Sequence, residues 1–121
     1  MILIGELAKQ TGVAIGTIRF YEQKGVLPEA QRNVSGNRVY DDEALHWLLF
    51  VSYLRQTGMS VSQLRTYREL IDAGPETVPQ RIEILKKQRQ AALNQIAAAQ
   101  EQVAQIDHKI SNYKAGYADY L

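Results

Sequence analysis

One stretch of the chain limits what the whole can fold into. Between Pro79 and Gly116 there is neither glycine nor proline. Through it Val78, Ile82, Leu85, Arg89, Ala92, Ile96, Ala99, Val103, Ile106, Ile110, Tyr113 and Tyr117 recur in alternating steps of four and three. That is an unbroken heptad register over more than five repeats, with Arg89 as its one polar member. At about 1.5 Å per residue such a helix reaches roughly 50 Å. A single apolar stripe of that length cannot be buried in the small body that precedes it. Pairing with a second copy is the economical solution, and packing along the chain's own helices is the other. Ala92 and Ala99 would let two backbones approach closely. Thr77 and Gln80 make a capping-box pattern at the start, with Pro79 in the first turn.

The chain has 121 residues, enough for one small domain with this appendage. Composition excludes several classes. Glycine and proline are sparse, so collagen-like and low-complexity chains are out. No apolar run approaches the length of a membrane span, and no secretory leader pattern opens the sequence. The expectation is a soluble, cytoplasmic protein without a membrane partner. There is no cysteine, which removes disulfides, thiolate metal sites and thiol chemistry. His46 and His108 lie in different elements, so no metal and no cofactor is expected. No glycine-rich phosphate loop, His–carboxylate cluster or serine nucleophile motif suggests an enzyme. The net charge of +1 says little, but residues 1–40 carry five basic and three acidic groups, whereas 41–76 carry three and six. A mildly basic N-terminal third is compatible with a phosphate partner.

Glycines and prolines divide that body into short elements. Ile4, Leu7 and Ala8 fit a short helix that stops at Gly12, and Ile15, Ile18, Tyr21 and Glu22 fit a second that stops at Gly25. Two short helices around a tight turn make a helix-turn-helix, although the spacing alone equally suits a plain αα-hairpin. Leu27-Pro28 blocks further helix. Asn33 to Asn37 is rich in turn formers, and Arg38-Val39-Tyr40 suits a short strand. A hairpin bearing Arg32 and Arg38 is either a wing or a solvated loop. Asp41, Asp42 and Glu43 precede a helix using Ala44, Trp47, Leu48, Val51 and Leu54, ended by Gly58. Ser60 and Gln63 form a capping box for a fourth helix through Val61, Leu64, Tyr67 or Arg68, and Ile71, up to Gly74-Pro75.

In this order the pieces resemble the MerR family of transcription regulators. Ile4 to Val13 looks like that family's first helix and turn, and Thr17 to Glu22 with Lys24 to Pro28 looks like its recognition helix and exit. Gly36, Arg38 and Tyr40 fall at its wing positions, and Leu54-Arg55, Gly58 and Ser60 at the end of its third helix. The resemblance implies a mostly all-α fold: a winged helix-turn-helix unit with a second helix pair over residues 1–74, and a dimerisation helix over 75–121. It implies a homodimer joined by an antiparallel coiled coil. The seam would use Val78, Ile82, Leu85, Ala92, Ile96, Ala99, Val103, Ile106 and Ile110. It also implies binding to double-stranded promoter DNA beside RNA polymerase, with distortion of the duplex. Such deformation costs on the order of 1–10 kcal/mol and must be offset by phosphate contacts.

Carried over residue by residue, Thr17, Arg19 and Tyr21 match the helix positions that contact DNA. Arg32, Asn37, Arg38 and Tyr40 match those of the wing and its flank. Tyr21 also sits near the apolar face of its helix, and core packing is its alternative role. Arg55 suits a helix–helix polar contact or a phosphate clamp, and Phe20 a place under the wing. Ala14, Ile15 and Gly16 depart from the pattern by removing a hydroxyl cap and a long polar side chain. Base readout then falls to Thr17 and Arg19, and specificity leans on DNA shape.

Phe50 to Arg55 with Gly58-Met59-Ser60 resembles the branch of the family that senses aldehydes and related electrophiles through a cysteine. Tyr53 stands in that cysteine's place, and a phenol with a pKa near 10 is a poor nucleophile at neutral pH. An effector that is neither a metal nor thiol-reactive would then lie among Tyr53, Tyr67, Tyr113 and Tyr117. Otherwise these tyrosines pack an interface and no effector exists. A coiled-coil adaptor without promoter binding is the competing function class. It leaves the wing and Thr17–Tyr21 without a purpose.

Overall fold

The computed structural model describes residues 1–117. Its elements follow the glycine and proline punctuation. Helix α1, Ile4–Thr11, ends at Gly12, whose φ of +73° lies in the left-handed region where a side chain would be strained. Helix α2 spans Ile15–Gln23. Strands β2, Gln31–Arg32, and β3, Arg38–Tyr40, form the hairpin. The sequence reading missed β1, Ile2–Leu3, which pairs antiparallel with β3 so that Ile2 faces Tyr40 and Leu3 faces Val39. The order β1-β3-β2 therefore stitches the wing to the residues just before α1. A two-residue strand carries too little periodicity to be seen in sequence.

Helix α3, Asp42–Gln56, is capped by Asp41, whose carboxylate accepts the Ala44 amide at 2.9 Å. Helix α4, Val61–Ala73, begins with the expected Ser60–Gln63 capping box. Leu7, Ile18, Val26, Leu27, Leu48, Val51, Met59 and Leu64 are fully or almost fully buried and make one core beneath α1 to α4. Tyr21, Tyr40, Leu54 and Tyr67 complete it. Ala44 and Trp47 are half-buried at its margin, and the Trp47 indole N–H donates to the carbonyl of buried Val26 at 2.8 Å.

Helix α5 runs from Val78 to Lys114, 37 residues, and none of them is fully buried. Its entry differs from the capping box expected at Thr77. A 3₁₀ turn, Pro75–Thr77, precedes it, and the Thr77 hydroxyl points back to the Leu70 and Gly74 carbonyls at 2.5 and 2.8 Å. The carbonyls at the end of α4, of which Gly74 also accepts from the Thr77 amide and from Arg81, draw the hydroxyl away from the amides ahead. The exit is earlier than the heptad pattern. Gly116 takes a φ of +95°, and Tyr117 leaves the helical register. Ile84 and Leu85 pack against the body's own core, so the stripe is used within the chain at Leu85, while Val78 and Ile82 before it stay exposed. Among the described residues no helix is long and apolar enough to cross a membrane.

Leu48 has no exposed surface at the centre of α3. Leu48→Ala should cost about 2–5 kcal/mol through lost burial and the cavity left behind. The urea midpoint should fall with an unchanged slope. A loss below about 1 kcal/mol would show that α3 does not carry the core.

Candidate nucleic-acid interface

Ile18 and Tyr21 turn one face of α2 into the core, which leaves Arg19 and Phe20 exposed on the other. Tyr21, expected either on DNA or in the core, is 6% exposed and packs in the core. Phe20 does not lie under the wing. Its ring is 39% exposed, with the Lys24 ammonium 5.6 Å from its centre. Thr17 is half-buried and Gly16 faces open space. No side chain caps the start of α2 at Ala14, as the missing hydroxyl there implies.

The wing tip is fixed by its own backbone and side chains. The Asn33 side chain accepts the Ser35 and Asn37 amides, both at 3.0 Å. Arg32 donates to the Gly36 carbonyl at 2.8 Å, which uses one of its five N–H groups and leaves the guanidinium exposed. Asn37 is exposed beside it. Arg19, Arg32, Asn37 and Arg38 line one open cleft of about 480 Å³ together with residues 3–6. Four of the seven expected contact residues thus converge, although they come from α2 and both strands of the hairpin.

The sequence reading passed over the residue that joins those elements. Glu22, on α2, accepts from Arg38 Nε at 3.2 Å and from the Tyr40 hydroxyl in a short hydrogen bond. Its side chain is only 10% exposed. A nearly buried carboxylate needs such partners, since an unpaired charge there would be strongly destabilising. Tyr40 is 3% exposed, so it serves as a strut within the protein rather than a surface contact. Burial, and then the hydrogen bond to Glu22, push its phenol well above the ordinary tyrosine value. The sequence placed Glu22 on the periodic face of the second helix and at the end of its motif, but nothing in the spacing pointed to Arg38 and Tyr40 as its partners.

The remaining expected positions fall elsewhere. Arg55 donates to the Met59 carbonyl at 2.6 Å, closing the α3–α4 turn of its own chain. Tyr67 is 6% exposed and stacks on Trp47 at 5.9 Å, and burial raises its pKa too. A core ring cannot line an open effector site. Tyr53, Tyr113 and Tyr117 are exposed, the first on α3, the second in the last turn of α5 and the third just past its end. Among the described residues no three His, Asp or Glu gather as metal ligands.

A helix-turn-helix with a stitched β-hairpin beside its second helix defines a winged helix-turn-helix protein. Residues 2–71 match the model of the MerR HTH family regulatory proteins. The chain belongs to that family, and is a MerR-type transcriptional regulator. It is 30% identical to an uncharacterized HTH-type transcriptional regulator of Haemophilus influenzae, over 92% of this chain and 82% of that one. It is 39% identical to the HTH-type transcriptional regulator AdhR of Bacillus subtilis, over 72% of this chain and 62% of that one. A MerR family regulator from Listeria monocytogenes superposes with a TM-score of 0.85 at 38% identity, covering 97% and 89% of the two chains. HiNmlR, a MerR family regulator lacking the sensor domain, was solved bound to promoter DNA. It superposes with a TM-score of 0.83 at 28% identity, over 96% and 92%.

Tyr40→Phe removes one donor from Glu22 and should cost about 1–3 kcal/mol. The raised phenol pKa also has a sign. The folded state favours the neutral phenol, so its contribution is complete below about pH 10 and is lost as the pH rises beyond it. Chemical denaturation from pH 7 to 11 should show that alkaline decline in the wild type and a shallower one in Tyr40→Phe. Equal declines would remove Tyr40 from this role.

Proposed function

We propose that the protein binds an inverted repeat in double-stranded promoter DNA as a homodimer and distorts the duplex to control transcription by RNA polymerase in the cytoplasm. Residues 1–74 form the DNA-binding unit and 75–121 the pairing segment. In each half-site α2 enters a major groove and the wing lies on the backbone. The observation that carries this reading is the convergence of Arg19, Arg32, Asn37 and Arg38 on one cleft between α2 and the wing. Guanidinium groups spaced along an exposed edge suit phosphates, and one on a helix face suits a base edge. The uncapped start of α2 adds exposed backbone amides to the same surface. Similarity to HiNmlR, which was solved on promoter DNA, supports the same reading. An adaptor role without DNA binding leaves this arginine cluster unexplained. With Gly16 and Ala14 offering no polar side chain, base readout rests on Arg19 and Thr17, and DNA shape supplies the rest.

Arg19→Ala and Arg38→Ala separate these roles in a salt-series binding assay on the protein's own upstream DNA and on random DNA. Arg38→Ala should weaken both and flatten the salt slope by about one per subunit, with affinity taken per folded protein because the variant also strips Glu22 of a donor. Arg19→Ala should cost about 1–3 kcal/mol on the specific site and less on random DNA. Equal losses on both would make Arg19 a phosphate clamp. Absence of any site-selective, salt-sensitive binding by the wild type would overturn the proposal in favour of the adaptor.

A further inference from the structure

We infer that Phe20 reads the C5 methyl group of a thymine beside the base pair that Arg19 addresses, and that Gly16 is the gap that lets the base edges come close to α2. This rests on the DNA-binding reading above and adds a specificity residue to it.

The outward crest of α2 follows from its buried face. Ile18 and Tyr21 are buried, and Thr17 and Glu22 on either side of them are half-buried. At about 100° per residue, Gly16 and Gln23 then lie on the crest opposite that face, with Arg19 and Phe20 about 50° to either side of it. Arg19 is on the side of the wing and lines the cleft there. Phe20 is not among the walls of that cleft and flanks the crest on its other side. All four residues are exposed.

Two features of this crest have no purpose inside the chain. The first is Gly16. A glycine weakens a helix relative to alanine. Gly16 has no positive φ, and a Cβ built on it would meet nothing within 4 Å. The fold itself would accept alanine. What glycine adds is a bare backbone at the point of nearest approach to a partner. The second is the Phe20 ring, which belongs neither to the core nor to the partly buried residues around it. Its centre lies 6.2 Å from that of Tyr21, and the Lys24 ammonium covers it in part. Burial of the remaining ring surface is a gain that only a partner can supply.

The chemistry of the groove selects the atom that Phe20 meets. A phenyl ring has no hydrogen bond to offer a base edge, and the apolar group that a base pair presents in the major groove is the thymine methyl. Phe20 follows Gly16 by four residues, so the two are neighbours on the helix surface and the unfilled space at Gly16 adjoins the ring. A methyl group entering there meets the ring on one side and bare backbone on the other. Arg19, across the crest, has the fork that fits guanine O6 and N7. The half-site is therefore expected to hold a thymine next to the pair that Arg19 reads.

Deoxyuridine pairs as thymidine does and lacks only that methyl group, so it isolates the contact. Each thymine of the site that the full-length protein protects upstream of its own gene is replaced by deoxyuridine, symmetrically in both half-sites, and binding is titrated. At one position the wild type should lose about fourfold in affinity per half-site, the worth of one buried methyl-sized group. Phe20→Ala should bind the thymine site more weakly and be indifferent to the replacement. Phe20→Leu keeps an apolar contact and should retain part of the response. Gly16→Ala should unfold in urea no earlier than the wild type, yet bind the site at least about fivefold more weakly through the crowding it adds. A wild type indifferent to every replacement, or a Phe20→Ala protein that keeps the full response, overturns the methyl contact and leaves DNA binding standing. Unchanged affinity in Gly16→Ala overturns the role given to Gly16. A wild type without site-selective binding overturns the DNA-binding reading, and this inference with it.

Discussion

The carboxylate of Glu22 governs the winged half of this molecule. It sits on α2, accepts from Arg38 and Tyr40 of β3, and is almost closed to water. A charge in that position is held by both donors, and the loss of either costs stability. Helix and wing are therefore coupled through a group that neither element could bury alone. β1 adds a second tie, because it pairs with the same strand immediately before α1 begins. The arginines of the cleft are thus carried on a frame whose parts hold one another in place. Such preorganisation reduces the ordering cost on binding, which is where a surface of exposed long side chains otherwise loses affinity.

The other half obeys a different constraint. Helix α5 is long because nothing in its sequence stops it, and it is exposed because the body has room only for its first turns. The stripe from Ile96 onward has the spacing of a coiled-coil seam and lies exposed. The body is anchored to the near end of that seam by Gln88 and Gln95. Where two such helices pair, the separation of the two winged units is fixed by the register. On the proposed reading, in which α2 offers few base-reading side chains, that spacing becomes a large part of specificity.

Most of the architecture was legible in the sequence, for reasons that differ by element. The boundaries of α1 to α4 were marked by glycines that the backbone needs, such as Gly12, and by caps such as Asp41 and Ser60 that found their expected amides. The heptad rhythm gave α5 its length and its exposed stripe. What was not legible depended on competition or on distance. Thr77 had two carbonyls within reach behind it, and the capping pattern ahead lost. Tyr21 and Tyr67 are amphipathic, so a position near the apolar face left both roles open until packing decided for the core. Among the site residues, Arg19, Arg32, Asn37 and Arg38 stood out by type and motif. Glu22 did not, because its meaning comes from Arg38 and Tyr40, sixteen and eighteen positions away.

The central claim is that two winged units, held at a fixed distance, grip one stretch of DNA symmetrically. Hydroxyl-radical footprinting of the DNA upstream of the protein's own gene tests this most directly. The account predicts two protected backbone patches in each strand-symmetric half-site, related by a two-fold axis and separated by whole turns of the duplex, with altered reactivity at the unprotected centre where the DNA is bent. Protection of a single half-site at saturating protein, or protection without two-fold symmetry, would contradict it.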